Sequence, residues 1–297
     1  MKALAFGEIL FDVYSDRKCL GGAPLNVAGH LARLGFESSI VSAVGSDGDG
    51  NEARSLVSSL GVRTDYIQTV SGIPTGRTEI VLDNGIPSYE FNSPCAWDEI
   101  RPSPDAIGRI FAETWDVFCF GTLAARSPTS RQTLTDLVSG VRAKTVFFDV
   151  NLRKRFYDAD ILKYGLSKSD ILKMNDEEVP VLARLLEAPA GMDDDHFQDW
   201  LIGEWGLSGV LLTKGKAGAS ARFGGKTSMV LPGTVPVVDT VGAGDSFSAA
   251  FLASLARGYT PEQALVFAST LADYVVTQNG AIPEYSLDIR SRLSPLF

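Results

Sequence analysis

A glycine-rich segment followed by an apolar run gives the strongest chemical signal in this sequence. It reads Asp239-Thr-Val-Gly242-Ala243-Gly244-Asp245-Ser246, and the apolar run Ala249–Leu255 follows it. Glycines at 242 and 244 allow backbone N–H groups to point into one small space, and the dipole of a following helix adds positive potential there. The segment therefore predicts an anion site suited to phosphate.

Asp245 would place a carboxylate beside that anion. The segment alone supports two interpretations: a base that takes a proton from a hydroxyl group, or a cap of the helix that follows. For the base, the nearby helix N-terminus is expected to lower the pKa of the carboxyl group.

Polar groups recur where predicted strands end. The segments are Asp12, Gly21-Gly22-Ala23-Pro24-Leu25-Asn26, Asp149-Val-Asn151-Leu-Arg153 and Asn175-Asp-Glu-Glu178. Each alone is compatible with a turn or a cap. Because ligands of open α/β sheets bind beyond the carboxyl ends of the strands, their repetition favours one polar site.

The elements that must position these groups alternate between short apolar runs and helical periodicity, which is typical of βαβ units. The predicted strands are Ala3–Gly7, Ser39–Val44, Val117–Phe120, Thr145–Val150, Ile171–Met174 and Val210–Thr213. Helices are predicted to begin near Pro24, Pro128, Gly244 and Pro261. The expected fold is α/β, a doubly wound, mostly parallel sheet flanked by helices, in a single domain over residues 1–297.

One stretch departs from this alternation. Arg77–Leu82 and Ile86–Phe91 are strand-like runs separated by Asp83-Asn84-Gly85, which predicts a hairpin. Because a two-stranded hairpin is marginal alone, Leu10–Tyr14 and Tyr66–Val70 are expected to join it. The result is a small β flap built from about residues 10–20 and 66–96.

Composition excludes several classes of protein. The 297 residues include 27 Lys and Arg against 36 Asp and Glu, a net charge of −9 that argues against nucleic acid as a partner. Cys19, Cys95 and Cys119 are widely spaced, which fits neither a disulfide framework nor a zinc site. No segment approaches the roughly 18 apolar residues of a membrane span, so a cytoplasmic location is expected.

Other motifs are assigned structural roles. Ser220–Thr227 lacks the first glycine of a phosphate-binding P-loop and is expected to form a hairpin turn. His30 lies among apolar and small neighbours in a predicted helix, and a lone histidine of this kind is expected to be a satisfied core or surface group.

At this point the chain resembles the ribokinase-like (PfkB) carbohydrate kinases over essentially its whole length. The resemblance is carried by Gly21–Gly50, with GGAPLNVAGHLARLG and VGSDGDG, and by Asp239–Gly258, with DTVGAGDSFSAAFLASLARG. Further matches are NDEE at Asn175–Glu178 and TKGKAG at Thr213–Gly218. GEILFD, GGAPLN and DVNLR are most similar to the fructokinase branch.

The resemblance implies a role for each matching position. Asp245 would be the base, with the N–H groups of Gly242, Ala243 and Gly244 forming an anion hole for the transferring phosphoryl group. The sugar would be bound by Asp12, Gly22, Asn26, Asn151 and Arg153. The nucleotide would be bordered by Thr213, Gly215 and Gly218, with Ser269 on its adenine side.

By the same resemblance, ATP and Mg²⁺ are the expected cofactors, and Asn175 and Glu178 would order water and magnesium near the phosphates. The family's potassium site would use Asp239 and carbonyl groups near Val241, Val275 and Gly280. The flap would close over the sugar and mediate dimerisation. Two positions depart from the pattern: Ser269 stands where ribokinases tend to have asparagine, and Glu284 where a small residue is usual.

These observations favour an ATP-dependent sugar kinase that phosphorylates the primary hydroxyl of fructose. The enzyme alternative is a kinase of 2-keto-3-deoxygluconate, in which Arg153 would contact the acid group. A sugar or nucleotide sensor without turnover would be favoured by an altered Asp245 or anion-hole glycine, and both are intact.

Overall fold

The computed structural model describes residues 1–14, 17–83 and 86–297. The strands are β1 (Lys2–Phe6), β2 (Leu10–Val13), β3 (Lys18–Gly21), β4 (Glu37–Gly45), β5 (Val62–Arg63), β6 (Ile67–Val70), β7 (Gly76–Asp83), β8 (Ile86–Phe91), β9 (Thr114–Gly121), β10 (Arg142–Asp149), β11 (Ile171–Asn175), β12 (Gly209–Thr213), β13 (Ala219–Phe223) and β14 (Lys226–Val230). The α-helices are α1 (Ala23–Arg33), α2 (Gly48–Ser59), α3 (Pro104–Ala112), α4 (Pro128–Gly140), α5 (Ala159–Lys168), α6 (Val179–Leu185), α7 (Asp194–Trp205), α8 (Ala243–Ala256), α9 (Pro261–Val275) and α10 (Leu287–Arg292).

The larger sheet has the order β14-β13-β12-β11-β10-β9-β1-β4-β5, with β6 also paired to β4. Pairing is parallel from β12 to β5, and only β13 and β14 run antiparallel in this order. The chain moves from β1 to β4 on one side and later to β9 on the other. The carboxyl ends of β1 and β9 therefore flank the point where strand order reverses, which is where such sheets bind ligands.

Apolar side chains cover both faces of this sheet. In β1, Ala3 and Ala5 point into the core under α1, α2, α8 and α9, whereas Leu4 and Phe6 point into the core under α3 to α7. Alternation along a strand places successive side chains on opposite faces, so a continuous apolar run requires helices on both sides. The predicted doubly wound α/β fold is confirmed.

The predicted helix starts are confirmed to within about one residue. Pro24 and Pro128 lie in the first turns of α1 and α4, and α8 begins at Ala243. Thr260 caps α9 by accepting a hydrogen bond from the backbone N–H of Gln263. The hairpin expected near Ser220–Thr227 is also present, as β13 and β14.

A second sheet of four strands has the order β3-β2-β7-β8. It contains the predicted hairpin, in which Asp83 pairs with Ile86, while the predicted turn residues Asn84 and Gly85 lie outside the described residues. Leu10–Val13 joins this hairpin in parallel, as expected.

The expectation that Tyr66–Val70 also joins the hairpin is wrong. Ile67–Val70 pairs in parallel with Ser42–Gly45 of the larger sheet. Tyr66 and Ile67 are each only 5% exposed, so this pairing buries their apolar side chains in the main core. The remaining strand of the small sheet is β3, at Lys18–Gly21.

Two cations connect the small sheet to α2. Lys18 Nζ lies 2.8 Å from Oδ1 of Asp49, and Arg77 Nε lies 2.7 Å from Oδ2 of the same carboxylate.

Within the described ranges, no helix has the length and apolar character needed to cross a bilayer.

Candidate active site

A cavity of about 820 Å³ lies beyond the carboxyl ends of the central strands, between the two sheets. It collects most of the residues that the sequence singled out. Those that line it are Asp12, Gly22, Asn26, Asn151, Arg153, Asn175, Glu178, Thr213, Val241, Gly242, Gly244 and Asp245. The expectation that polar groups at several strand ends form one site agrees with this placement.

The remaining predicted residues lie outside the lining of this cavity. Ala243 forms the first position of α8, and Ser269 is buried in α9. Gly215 and Gly218 belong to the tight turn between β12 and β13, where Gly218 N–H donates to the carbonyl of Gly215 at 3.0 Å. A Cβ at Gly218 would come within 2.3 Å of the carbonyl oxygen of Val230, so this turn requires glycine.

Asp245 stands in the first turn of α8 and is held by a side chain of another helix. Nδ2 of Asn26 donates to Oδ2 of Asp245 at 2.7 Å. Asn26 is 4% exposed, and its Oδ1 is buried with no hydrogen-bond partner in the described structure. A buried acceptor without a donor is costly, so this oxygen retains hydrogen-bonding capacity beside the cavity.

The electrostatic setting of Asp245 differs from the expectation. Burial, with a smaller contribution from the charge of Asp149, raises the pKa of its carboxyl group to about 6, against the lowering effects of Asn26, Lys173 and Arg153. The predicted lowering by the helix N-terminus is therefore wrong, because the loss of water outweighs the favourable groups. At neutral pH the carboxyl group is still mainly ionised and can accept a proton.

Lys173 is a site residue that the sequence analysis missed. It lies within β11 and is 7% exposed, and its Nζ lies 3.1 and 3.0 Å from the two carboxylate oxygens of Asp149 at the end of β10. The negative charges of Asp149, Glu178 and Asp245 raise the pKa of Lys173 despite its burial, which keeps the ammonium group charged. The signal in the sequence was a lysine within the apolar run Ile171–Met174, since buried lysines are almost always paired.

Glycine is required at the two positions of the anion segment for different structural reasons. Gly242 has φ 78°, in the left-handed region, and a Cβ there would lie 2.6 Å from Cα of Ala281. Gly244 has an ordinary helical position, and a Cβ there would stand 3.4 Å from Nζ of Lys173. Gly242 therefore permits the left-handed backbone conformation and the close approach of Ala281. The second keeps open the space between the start of α8 and the lysine.

Asn175 and Glu178 form a reciprocal backbone clasp. Glu178 accepts the N–H groups of Asn175 and Leu152, both at 2.8 Å, and its own N–H donates to Oδ1 of Asn175 at 2.9 Å. This clasp fixes the loop that carries Asn151, whose φ of 38° is tolerated better by asparagine than by most residues. Both carboxylate oxygens of Glu178 and Oδ1 of Asn175 each keep a lone pair that can accept a hydrogen bond from water. The described residues contain no group of three or more His, Cys, Asp or Glu placed to bind a metal ion.

Asp12 and Glu8 supply further carboxyl groups to the cavity. Burial raises the pKa of Asp12 to about 6, opposed mainly by the charge of Arg153. Burial also raises the pKa of Glu8 to about 7, and its Oε1 accepts the N–H of Ala23 at the start of α1. These groups lie where the small sheet faces the main sheet, and they can accept hydrogen bonds from hydroxyl groups.

Of the residues expected around a monovalent cation, Asp239, Val241 and Gly280 line a smaller cavity of about 350 Å³, and Val275 is outside that lining. The carboxylate of Asp239 accepts the N–H groups of Val241 at 3.0 Å and Gly280 at 3.2 Å. The carbonyl of Val275 accepts the N–H of Gln278 at 2.9 Å. Glu284 pairs with Arg33 at the surface.

Comparisons with known proteins identify the family of this chain. The family described as pfkB family carbohydrate kinase matches residues 4–287. A fructokinase of Klebsiella pneumoniae is 30% identical over 291 residues, covering 91% of this chain and 90% of that protein. A 5-dehydro-2-deoxygluconokinase of Clostridium beijerinckii is 27% identical, covering 89% of this chain and 80% of that protein.

Among solved structures, a fructokinase of Xylella fastidiosa with bound ATP has a TM-score of 0.85 and is 25% identical, covering 99% of this chain and 98% of that chain. The similarity thus spans both the large sheet and the small one. It includes the segments that supply Asn26, Lys173 and Asp245. This chain therefore belongs to the pfkB family of carbohydrate kinases.

Proposed function

We propose that this protein transfers the γ-phosphoryl group of ATP to a primary hydroxyl group of fructose. The observation that carries the proposal is the placement of Asp245 within one cavity together with Asn26, Lys173 and the first turn of α8. That cavity offers a proton acceptor for a hydroxyl group and positive potential for a phosphoryl group. Phosphoryl transfer needs these two elements and accurate positioning more than a strong base.

In the proposed reaction, the carboxylate of Asp245 accepts the proton of the sugar hydroxyl as that oxygen attacks the γ-phosphorus atom. The bond between the γ-phosphorus and the β–γ bridging oxygen breaks, and ADP leaves. Asn26 holds one oxygen of Asp245 in place, so that the other can face the acceptor hydroxyl. The pKa of the Asp245 carboxyl group, about 6, suits this role. A general base works best when its pKa lies near the operating pH.

The transferring phosphoryl group would lie between the first-turn N–H groups of α8 and the ammonium group of Lys173. Aligned N–H groups and a buried cation stabilise the charge of a loose transition state without reorganising during the reaction. Asp149 would hold Lys173 in position through its two contacts.

Magnesium fits this site as a water-held ion. Both oxygens of Glu178 already accept backbone N–H groups, so the clasp with Asn175 presents lone pairs suited to water rather than a complete set of direct ligands. Asn175 and Glu178 would order that water beside the nucleotide. When bound, Mg²⁺ neutralises charge on the phosphates of ATP.

Fructose is the proposed acceptor because GEILFD, GGAPLN and DVNLR are most similar to the fructokinase branch, and because the Klebsiella pneumoniae relative is a fructokinase. A second candidate is 2-keto-3-deoxygluconate. The observation that favours it is the presence of Arg153 and Lys154 in the cavity lining, since two cations can bind the carboxylate of a sugar acid.

A coupled assay of ADP release tests the proposal, with fructose, ribose, 2-keto-3-deoxygluconate, adenosine and fructose 1-phosphate as acceptors. We expect the highest kcat/KM with fructose. The highest value with 2-keto-3-deoxygluconate would replace the substrate and keep the reaction. Sugar and ATP binding without ADP release for any acceptor would support a sensor instead.

A further inference from the structure

His30 is fully buried in α1 and uses both of its ring nitrogens. Nδ1 lies 2.7 Å from the hydroxyl oxygen of Tyr285, and Nε2 lies 2.9 Å from the carbonyl oxygen of Ala281. Burial lowers the pKa of His30 to about 4, so the ring is neutral near pH 7 and has one N–H group. Because a carbonyl oxygen only accepts hydrogen bonds, Nε2 donates to the carbonyl of Ala281, and Nδ1 accepts a hydrogen bond from the hydroxyl group of Tyr285. The expected satisfied core histidine is confirmed.

The loop that accepts this bond lies directly behind the anion segment. Ala281 packs so closely on Gly242 that a Cβ at Gly242 would lie 2.6 Å from Cα of Ala281. Its neighbour Gly280 donates an N–H to Asp239, whose other oxygen accepts the N–H of Val241. The two loops are thus joined by backbone contact and by one bridging carboxylate.

The same helix also holds the proposed base. Asn26 lies four residues before His30, on the same face of α1 and about 6 Å away along the helix axis. Asn26 donates to Asp245, and His30 donates to Ala281. One rigid helix therefore sets the position of the carboxylate at one turn and of the loop behind the anion segment at the next.

A second contact between α1 and this loop is at the surface. Arg33 donates to both carboxylate oxygens of Glu284 at 2.8 and 2.7 Å, but the Glu284 side chain is 84% exposed. Exposed ion pairs contribute little, because water and salt screen them. The buried bond from His30 is thus the contact whose loss leaves a polar group of the loop without a partner inside the protein.

We propose that His30 is a positioning residue for phosphoryl transfer: its hydrogen bond to Ala281 keeps that loop against Gly242 and so fixes the start of α8 relative to Asp245. The inference rests on the proposed kinase function. Groups that stabilise a transition state act only when they are accurately placed, so a small shift of the loop reduces turnover more than it reduces substrate binding.

Three variants test this role. His30→Leu removes the donor, His30→Gln keeps an N–H donor at a similar reach, and Leu31→Val is the matched control, a buried change at the next position of α1. We expect His30→Leu to lower kcat at least tenfold while the KM for sugar stays within about threefold. His30→Gln should recover kcat to within about threefold of the parent. Leu31→Val should lower the melting temperature and leave kcat unchanged.

Hydrogen exchange separates this inference from the proposed function. His30→Leu should speed amide exchange in residues 278–286 and also in residues 239–246, whereas His30→Gln should not. A His30→Leu enzyme with kcat within threefold of the parent, or faster exchange confined to residues 278–286, would overturn the positioning role. A parent that phosphorylates no sugar would instead overturn the proposed function, and the exchange result would still decide whether His30 is coupled to the anion segment.

Discussion

Nζ of Lys173, within β11, lies 3.0 Å from Oδ2 of Asp149, at the end of the neighbouring strand β10, and both side chains are buried. Nζ of Lys173 faces the start of α8, where the proposed phosphoryl group would lie, at 3.4 Å from the position of a Cβ on Gly244. A buried ion pair is weak evidence for stability, because desolvation of both charges offsets their attraction. We therefore expect its main role to be in the reaction.

Replacing Lys173 with Met should lower kcat by about 10²-fold or more, because a buried cation that neutralises the phosphoryl group is lost. The single variant also leaves Asp149 unpaired, which should cost about 3–5 kcal/mol of stability. Steady-state kinetics and thermal melting measure the two effects. The double variant Lys173→Met with Asp149→Asn removes both charges, so it should recover most of the stability and little of the turnover. Recovery of both would show that the pair is structural.

Gly244 should not accept a larger side chain without loss of activity. A Cβ there would stand 3.4 Å from Nζ of Lys173, so Gly244→Val would fill the space between the lysine and α8. We expect the variant to fold and to lose kinase activity by roughly 10²-fold, through lost anion binding. A Gly244→Val enzyme with the kcat and ATP affinity of the parent would contradict this geometry.

Two other glycines serve as controls for that experiment. Gly48→Ala should be neutral, because no atom lies within 4 Å of its added Cβ. Gly242→Ala should instead destabilise the fold by about 1–3 kcal/mol, since it combines a left-handed backbone with a contact at 2.6 Å to Ala281.

Asp12→Ala should raise the KM for sugar at least tenfold, because a carboxylate bonded to ligand hydroxyl groups contributes about 1.5–3 kcal/mol. The affinity for ATP should stay within about twofold, and the melting temperature should change only slightly. Asp136→Ala, on the exposed face of α4, is the control for loss of one negative charge. An unchanged sugar KM with a clear loss of thermal stability would assign Asp12 to a turn cap.

The small sheet is proposed to close over the sugar, which would exclude water and limit wasteful ATP hydrolysis. It carries Asp12 and Thr78 into the cavity and is tied to α2 through Asp49. Hydrogen exchange should slow across residues 77–91 when saturating sugar is added. Exchange in α4 should not change, which provides an internal reference. Identical exchange in residues 77–91 with and without sugar would argue for a static element.

The sequence predicted the elements better than their partners. Apolar runs and proline at helix starts located the central strands and α1, α4, α8 and α9. The same patterns recognised Tyr66–Val70 as extended but could not choose its neighbour, because pairing of Ile67 with β4 depends on burial in the assembled core.

The candidate site was predicted where motif residues lie at strand ends, as for Asn26 and Asp245. Lys173 was missed because its position in an apolar strand indicates a buried element, while its partner Asp149 lies 24 residues away in sequence. The predicted direction of the pKa shift of Asp245 was wrong, because the sequence shows the helix N-terminus but not the loss of water around the carboxyl group. Both errors concern properties that exist only in the folded chain: the distance between Lys173 and Asp149, and the burial of Asp245.

Replacing Asp245 with Asn should stabilise the protein without ligands while it removes activity. Burial raises the pKa of this carboxyl group from 3.8 to about 6, so ionisation is harder in the folded than in the unfolded state. The resulting penalty is absent below about pH 4, grows as pH rises to about 6 and then stays constant. At pH 7 we expect Asp245→Asn to be more stable by about 1–3 kcal/mol, with no difference below about pH 4.

The turnover number of Asp245→Asn in the coupled ADP-release assay, at saturating ATP and fructose, tests the proposed chemistry most directly. The amide keeps the size of the side chain and a hydrogen bond with Asn26 but accepts no proton, so kcat should fall by about 10²–10⁴-fold with little change in sugar affinity. In the parent, kcat/KM for sugar should fall as pH drops through about 6, when the carboxylate of the free enzyme takes up a proton. A kcat for Asp245→Asn within threefold of the parent would contradict the assignment of Asp245 as the base.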